Sequence, residues 1–297
     1  MSQTESLDVF HVIDQQQWTE PLGDALEQGV ARVLDDTGQP GKQLANFLHG
    51  KWLGHPLHPA VTDVPLGAWT AAAAMDVADA ASGDDKYAAG SDAAVAVGLV
   101  GATLAAVSGL AEWRHTQGRP RRIGMVHASL NGSATFLYAT SLALRSQGKR
   151  GLGRALSFAG FATIMAGAYL GGHLSLKERI GVDHSPSEDE LPSEFTPALP
   201  DADLPEGEMR RVEVKGVPIM LARQHGRVYA LAESCAHLGG PLSEGELKES
   251  SVVCPWHGSR FSLEDGHVLD SPSAFAQPCL ETRVRDGQIE VRSGCLG

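Results

Sequence analysis

Cysteine is scarce in this chain. There are four in 297 residues, two of them in Cys-x-His and Cys-x-x-His arrangements, so no disulfide framework is suggested. Basic charge is also in deficit: 24 Lys and Arg against 36 Asp and Glu give a net charge of -12. Nothing concentrates the basic side chains on a face that would hold a polyanion, which excludes nucleic acid as a partner. The first 30 residues lack an apolar core of signal-peptide type, so the amino terminus is expected to stay in the cytosol. The apolar residues that are present are unevenly placed. From about Val64 to Leu176 the chain is dominated by Ala, Gly, Leu and Val, whereas the flanks carry most of the charge. Length and this division together point to two unlike domains.

Residues 1–54 read as an amphipathic helical segment, with Trp18, Leu22, Leu26, Val30 and Val33 on one stripe. Within it, residues 43–52 include Phe47, Lys51 and Trp52, a composition suited to a membrane interface. Residues 55–180 then contain four apolar segments. Uncharged runs of 19 residues between Asp92 and Glu112, and of 22 residues between Arg122 and Arg145 and between Arg154 and Lys177, give three segments long enough to cross a bilayer. The first segment, Val64 to Met75, is too short alone and is assigned by its neighbours. The expectation is an all-α four-helix transmembrane bundle; a soluble Ala-rich bundle is the alternative.

Four spans put both termini on one side. Arg114, Arg119, Arg121, Arg122, Lys42, Lys51, Lys177 and Arg179 flank that side, against Lys86, Arg145, Lys149, Arg150 and Arg154 opposite. The excess of Lys and Arg favours cytosolic termini. The same topology gathers His55, His58, His115, His127 and His173 at one face of the bundle. His58 precedes Trp69 by 11 positions, the interval that separates His127 from Tyr138, so two related hairpins would bring His58, His127 and His173 together. Ionisable residues in membrane helices are costly and usually functional. A haem b held by two histidines drawn from these three is one use of them; interhelical hydrogen bonding or an interfacial position is another.

The run His55-Pro56-Leu57-His58-Pro59, followed by Thr62-Asp63-Val64-Pro65-Leu66-Gly67-Ala68-Trp69 and later by Gly171-Gly172-His173, resembles a bacterial four-helix membrane family known as DUF2231, which occurs fused to Rieske domains. The resemblance covers about residues 45–180 and implies a membrane location without assigning a chemistry. Pro56 and Pro59 each disfavour helix at the preceding residue, so the histidines before them are expected on an extended entry.

Residues 181–204, rich in Pro, Asp and Glu, read as an acidic linker. Residues 205–297 then carry short alternating runs at Arg211–Val214, Ile219–Ala222, Val228–Leu231, Val252–Val253, Glu281–Val284 and Ile289–Arg292. Turns fall at Gln224-His225-Gly226 and Asp286-Gly287. A small all-β domain follows from this pattern. Its central constellation is Cys235-Ala-His237, then 16 residues, then Cys254-Pro-Trp-His257. Two loops each offering one Cys and one His suit a [2Fe-2S] centre in which two histidines replace two cysteines on one iron. The ligand types alone also permit a zinc site of two cysteines and two histidines. Gly239-Gly240-Pro241 after the first loop and Gly258-Ser259-Arg260-Phe261 after the second make the segment similar to the Rieske family throughout residues 205–293.

That resemblance implies an antiparallel β sandwich with a cluster-binding subdomain. It implies Cys235, His237, Cys254 and His257 as metal ligands, with Gly239, Ser259 and Pro272 around them. Respiratory members of the family pair an additional Cys from each loop as a disulfide; Gly240 and Trp256 stand there, so that bridge is absent. The family also uses a Ser and a Tyr to donate hydrogen bonds that raise the potential. Ser259 is retained and Phe261 has no hydroxyl, which implies a low potential. Cys279 reads as a small buried residue and Cys295 as a tail thiol. Only 40 residues follow His257, leaving no room downstream for a catalytic iron domain, so a carrier is favoured over a stand-alone catalyst.

The expected protein is a membrane-anchored, single-electron Rieske carrier with a cytosolic low-potential head. It is multi-pass in a bacterial cytoplasmic (inner) membrane and exchanges electrons with redox proteins or quinone. The alternative is a membrane oxidoreductase whose bundle binds haem b or quinone and acts on a small substrate.

Overall fold

The computed structural model describes residues 9–295. It contains an all-α part and a β-rich part, divided into two compact units. One comprises residues up to 41 and 57–180; the other comprises residues 42–56 and 181 onward.

Among the described residues there are seven helices rather than four. Three short ones, α1 (Val9–Asp14), α2 (Thr19–Leu34) and α3 (Gln39–Leu48), precede four long ones. These are α4 (Leu57–Ser82), α5 (Ala88–Trp113), α6 (Gly118–Ser146) and α7 (Arg150–Leu176). By length and composition α5 and α7 qualify to cross a membrane, not the three segments expected. Helix α4 carries Asp63, Asp76 and Asp79, and α6 opens on Arg119, Arg121 and Arg122. His58 does not sit on an extended entry as its proline neighbour suggested. It lies in the first turn of α4, where Pro59 lacks only an N–H that no helical carbonyl would accept.

The four long helices form two hairpins, α4–α5 and α6–α7, related by an internal repeat. Asp76 and Arg145 are 69 residues apart, and the same displacement relates Trp69 to Tyr138 and His58 to His127. All three pairs are in contact. The imidazole rings of the third pair are 6.3 Å apart, and Trp69 stacks on Tyr138 at 4.0 Å in the buried centre. At the far end Arg145 and Asp76, both fully buried, form a bidentate ion pair. The three contacts therefore mark a pseudo-twofold axis running along the bundle.

The Arg145 guanidinium binds all four helices at once. Besides Asp76 it donates to Ser91 (2.9 Å), Asp92 (3.1 Å), Ser141 (3.0 Å) and Ser157 (2.9 Å). Such a group is stable when buried because every N–H finds an acceptor. Arg150 and Arg154 extend the network to Asp92, Asp79 and Asp85.

The β unit has a six-stranded and a four-stranded antiparallel sheet. The first has the order β1 (Thr196–Pro200), β10 (Gln288–Ser293), β9 (Cys279–Arg285), β4 (Arg227–Ala232), β3 (Val217–Gln224), β2 (Met209–Val214). The second runs β5 (Glu246–Lys248), β6 (Ser251–Val253), β7 (Arg260–Ser262), β8 (Val268–Asp270). Alternation along β3 splits its residues between two cores. Ile219 and Leu221 pack with Leu204, Ile289 and Val291, while Met220 and Ala222 pack with Cys235, Cys254 and Phe261. Period-two alternation thus places the ligand loops over a sheet buried on both faces.

Residues 181–204 are not a free tether. β1 lies within them and pairs with β10, and Leu191 and Leu204 are buried in the core. Cys279 and Cys295, read from sequence as separate thiols, are joined in a disulfide.

Arg145→Met removes the bidentate partner of the buried Asp76, leaving it the Arg154 Nε at 3.6 Å and the Ser91 hydroxyl, and is expected to destabilise the full chain by about 3 kcal/mol. Asp76→Leu combined with Arg145→Met should recover most of that loss. Thermal unfolding of the two variants against the parent checks both.

Candidate functional site

The two ligand loops are built alike. In the first, which follows β4, Cys235 N–H donates to Gly240 O (2.8 Å) and Gly239 N–H to Cys235 O (2.8 Å). In the second, the β6–β7 turn, Cys254 N–H donates to Ser259 O (2.8 Å) and Gly258 N–H to Cys254 O (3.1 Å). Each cysteine therefore closes the same two-bond ring, with a glycine in the left-handed region at the same place: Gly239 at φ 77° and Gly258 at φ 79°. A side chain at either would strain the turn. The loops differ in where histidine falls, two residues after Cys235 and three after Cys254, and this staggers the rings.

All four expected ligands come together. Cys235 and Cys254 are buried free thiols that share a hydrogen bond. It raises the Cys235 pKa well above the usual thiol value, with burial adding to it, and lowers that of Cys254. His237 and His257 meet at 5.1 Å between ring centroids, edge to face. Two imidazoles on one tetrahedral metal, each about 2.0–2.1 Å from the ion, show a separation of this size. Thiol pairs with thiol and imidazole with imidazole, the partition required by a [2Fe-2S] cluster with two cysteines on one iron and two histidines on the other. The donor set fits that cluster.

Burial is asymmetric. His237 is 8% exposed, whereas Trp256, beside His257, is 57% exposed. Burial, followed by the charges of His257, His49 and His184, holds the His237 pKa well below the usual imidazole value and keeps the ring neutral for ligation.

The surrounding residues behave in part as the sequence suggested. Ser259 is fully buried, and its Oγ accepts the Ser273 N–H (3.0 Å), leaving its own proton to donate. Pro272 stands in the loop that follows β8, after a cis peptide bond. Gly240 is occupied from outside: a Cβ there would lie 2.9 Å from Cys254 Sγ and 3.0 Å from Trp256. Phe261 is fully buried in the apolar cluster that contains both cysteines.

Other residues were not legible beforehand. Gln277 is buried; its Oε1 accepts Ala236 N–H (2.9 Å) and its Nε2 donates to Ala232 O and Ser234 O (2.8 Å each), fixing the first ligand loop. Glu233 accepts from Ser243 Oγ (2.6 Å), while burial raises its pKa. Residues 42–56, which include the segment 43–52 read as suited to a membrane interface, belong to this unit. Lys42 pairs with Asp270 (2.8 Å), Asn46 Oδ1 accepts the Ser271 N–H (2.8 Å), and Lys51 Nζ donates to Leu269 O (2.6 Å). Helix α3 ends with Gly50 at φ 78°, closed by bonds from Gly50 N to Phe47 O and from Lys51 N to Asn46 O. This glycine-capped turn delivers Lys51 to the proline loop.

Of the three bundle histidines, His58 and His127 meet at 6.3 Å. His173 is engaged elsewhere: its ring stacks on Phe10 at 3.8 Å and its Nε2 lies 3.3 Å from Glu178 Oε1.

Comparison with known proteins agrees with this division. Residues 194–281 match the family described as Rieske [2Fe-2S] domain, and residues 54–184 match that described as Predicted membrane protein (DUF2231). The 3-phenylpropionate/cinnamic acid dioxygenase ferredoxin subunit of Escherichia coli (strain K12) is 36% identical over 95 residues, 32% of this chain and 89% of that protein. Apoptosis-inducing factor 3 of Homo sapiens is 33% identical over 91 residues, 31% of this chain, and the match spans 15% of its length. Among solved structures, the ferredoxin of carbazole 1,9a-dioxygenase from Nocardioides aromaticivorans IC177 is 25% identical, with 34% of this chain and 100% of that chain covered at a TM-score of 0.33.

Gln277→Leu strands one buried donor and two buried acceptors at the first ligand loop, at about 1–3 kcal/mol for each group left unpaired. The expected result is a loss of at least about 2 kcal/mol in denaturant unfolding together with reduced iron per chain, measured by metal analysis of the purified protein.

Proposed function

Because the chain belongs to the Rieske [2Fe-2S] family, with a DUF2231 domain ahead of the ferredoxin-like part, we propose that it is a membrane-anchored carrier of single electrons between redox partners. The observation that carries this reading is the convergence of two thiols and two imidazoles on matched loops. When bound there, a Rieske cluster supplies reversible one-electron chemistry. The chain holds the donors in place through Gln277 and the two backbone rings, and it surrounds the thiols with apolar side chains. Trp256 offers an exposed aromatic surface beside His257 at which a redox protein can dock. The likeness to a dioxygenase ferredoxin subunit supports a proteinaceous donor and acceptor; quinone is the membrane counterpart.

Membrane anchoring is supported by α5 and α7, each long and apolar with only 28% of its most apolar stretch buried. Val100 on α5, Phe136 on α6 and Leu176 on α7 turn outward at 73%, 71% and 87% exposure. Lipid is the solvent in which such surfaces are stable.

A second reading, a membrane oxidoreductase whose bundle binds haem b or quinone, is favoured by the meeting of His58 and His127.

The potential tests the carrier reading. Phe261 provides no hydroxyl, so the centre is expected near the low end of the Rieske range, roughly -150 mV, in an EPR-monitored titration of the full chain. Ser259→Ala should lower it by roughly 60–130 mV, the equivalent of about 1.5–3 kcal/mol for a hydrogen bond to a charged group. A parent value above roughly +200 mV would contradict the assignment.

Orientation has its own test. The Lys and Arg count supports cytosolic termini and a cytosolic head, whereas the Cys279–Cys295 disulfide belongs to an oxidising compartment. If the head is cytosolic, trapping thiols in intact cells with a permeant maleimide labels both residues without prior reduction. Labelling only after reduction puts the head outside.

A further inference from the structure

We infer that His58 and His127 are the two axial ligands of a haem iron in the helical bundle. This deepens the second reading above by naming the cofactor class and the residues.

The two rings occupy equivalent positions in the internal repeat, and each is prepared in the same way by the neighbouring helix of its own hairpin. His58 Nδ1 lies 2.8 Å from Ala105 O on α5, and His127 Nδ1 lies 2.8 Å from Gly167 O on α7. A carbonyl only accepts, so each Nδ1 carries the proton and each Nε2 keeps its lone pair. That is how proteins hold a histidine that ligates metal through the other nitrogen. Each ring also rests on a glycine: a Cβ at Gly109 would come within 2.8 Å of the His58 ring, and one at Gly171 within 3.0 Å of the His127 ring. Both hairpins have cleared a place for an imidazole.

The separation distinguishes this pair from the cluster ligands. His237 and His257 stand 5.1 Å apart, a spacing for two nitrogens on one tetrahedral ion. His58 and His127 stand 6.3 Å apart with planes at 83°. That distance is what two imidazoles show on opposite sides of a single metal when each nitrogen is about 2.0 Å from it. Trans ligation by two histidines leaves the equatorial positions to be filled. A porphyrin brings four nitrogens of its own, and bundles of four helices are established hosts for such a group.

The polar side chain against His127 is compatible with ligation. Asn131 Nδ2 lies 3.2 Å from His127 Nδ1 and 3.1 Å from Nε2, and donates to His127 O at 2.8 Å. A single atom equidistant from both ring nitrogens sits over the face of the imidazole, not in line with the Nε2 lone pair.

The test uses the full-length chain, produced in haem-replete cells and purified in detergent, with haem content and a reduced-minus-oxidised spectrum as readouts. The expected result is about one haem per chain with a sharp α band. His58→Ala and His127→Ala should each lower haem content at least tenfold while keeping the Rieske EPR signal, which shows that the chain is folded. His173→Ala should keep its haem. If an alanine variant does not accumulate, His127→Met replaces it, and a shifted α band with a raised midpoint identifies the position as axial. A parent protein without a Soret shift, or haem retained in both alanine variants, overturns the assignment. Cys235→Ser separates the two centres: it removes the cluster signal and leaves the haem band, so failure of the Rieske reading and failure of this one give different spectra.

Discussion

Four donors from two separate loops can meet at one metal centre only if each loop reverses within a few residues and returns its cysteine to a fixed place. The structure meets this constraint twice with one device, a ring of two backbone hydrogen bonds around each cysteine and a left-handed glycine before the ring closes. Much of the β unit follows from it. The β6–β7 turn is short because it must be one of these rings. The first sheet is buried on both faces because the loops and their apolar cluster lie over one of them. Gln277 is buried because the first loop, lacking a hairpin beneath it, needs another source of partners for its backbone.

The parts of this arrangement that depend on local chemistry were legible in the sequence. Cysteine and histidine spacing picked out the two thiols and two imidazoles that the structure brings together, and alternation with turn residues picked out six of the ten described strands. Strand β1 was hidden because Thr196-Pro-Ala-Leu-Pro reads as a tether. It is tolerated as a strand because it lies at the sheet edge, pairing only with β10, where prolines need not donate on the open side. Gln277 and the α3 residues act across long sequence separations, and nothing local marks them. The Cys279–Cys295 pairing is likewise a fact about where the chain returns after β10, which composition does not encode.

The internal repeat was faint for a more interesting reason. Residues that meet across a pseudo-twofold axis occupy equivalent positions, so an exact duplication would set like against like. Two buried aspartates facing each other would repel, and two arginines equally. Asp76 opposite Arg145 is the resolution: the positions correspond and the residues differ in charge. Trp69 and Tyr138 differ in size for a related reason, since one ring pair must share a single fully packed layer. The His58–His127 pair alone keeps its identity, as a pair acting on something placed between them would.

Helix α3 carries a further consequence. Lys42, Asn46 and Lys51 bind three neighbouring residues where β8 runs into the proline loop, yet they precede the four long helices in the chain. The electron-transfer head is therefore discontinuous in sequence, with those helices inserted between its first helix and its sheets. A fragment cut at Gly181 would leave the Leu269 carbonyl, the Asp270 carboxylate and the Ser271 amide without these partners. Joining a free ferredoxin to a helical domain would not by itself produce this object. The helix that braces the proline loop lies upstream of that domain, so neither part could be exchanged for another by a single crossover without unpicking the other.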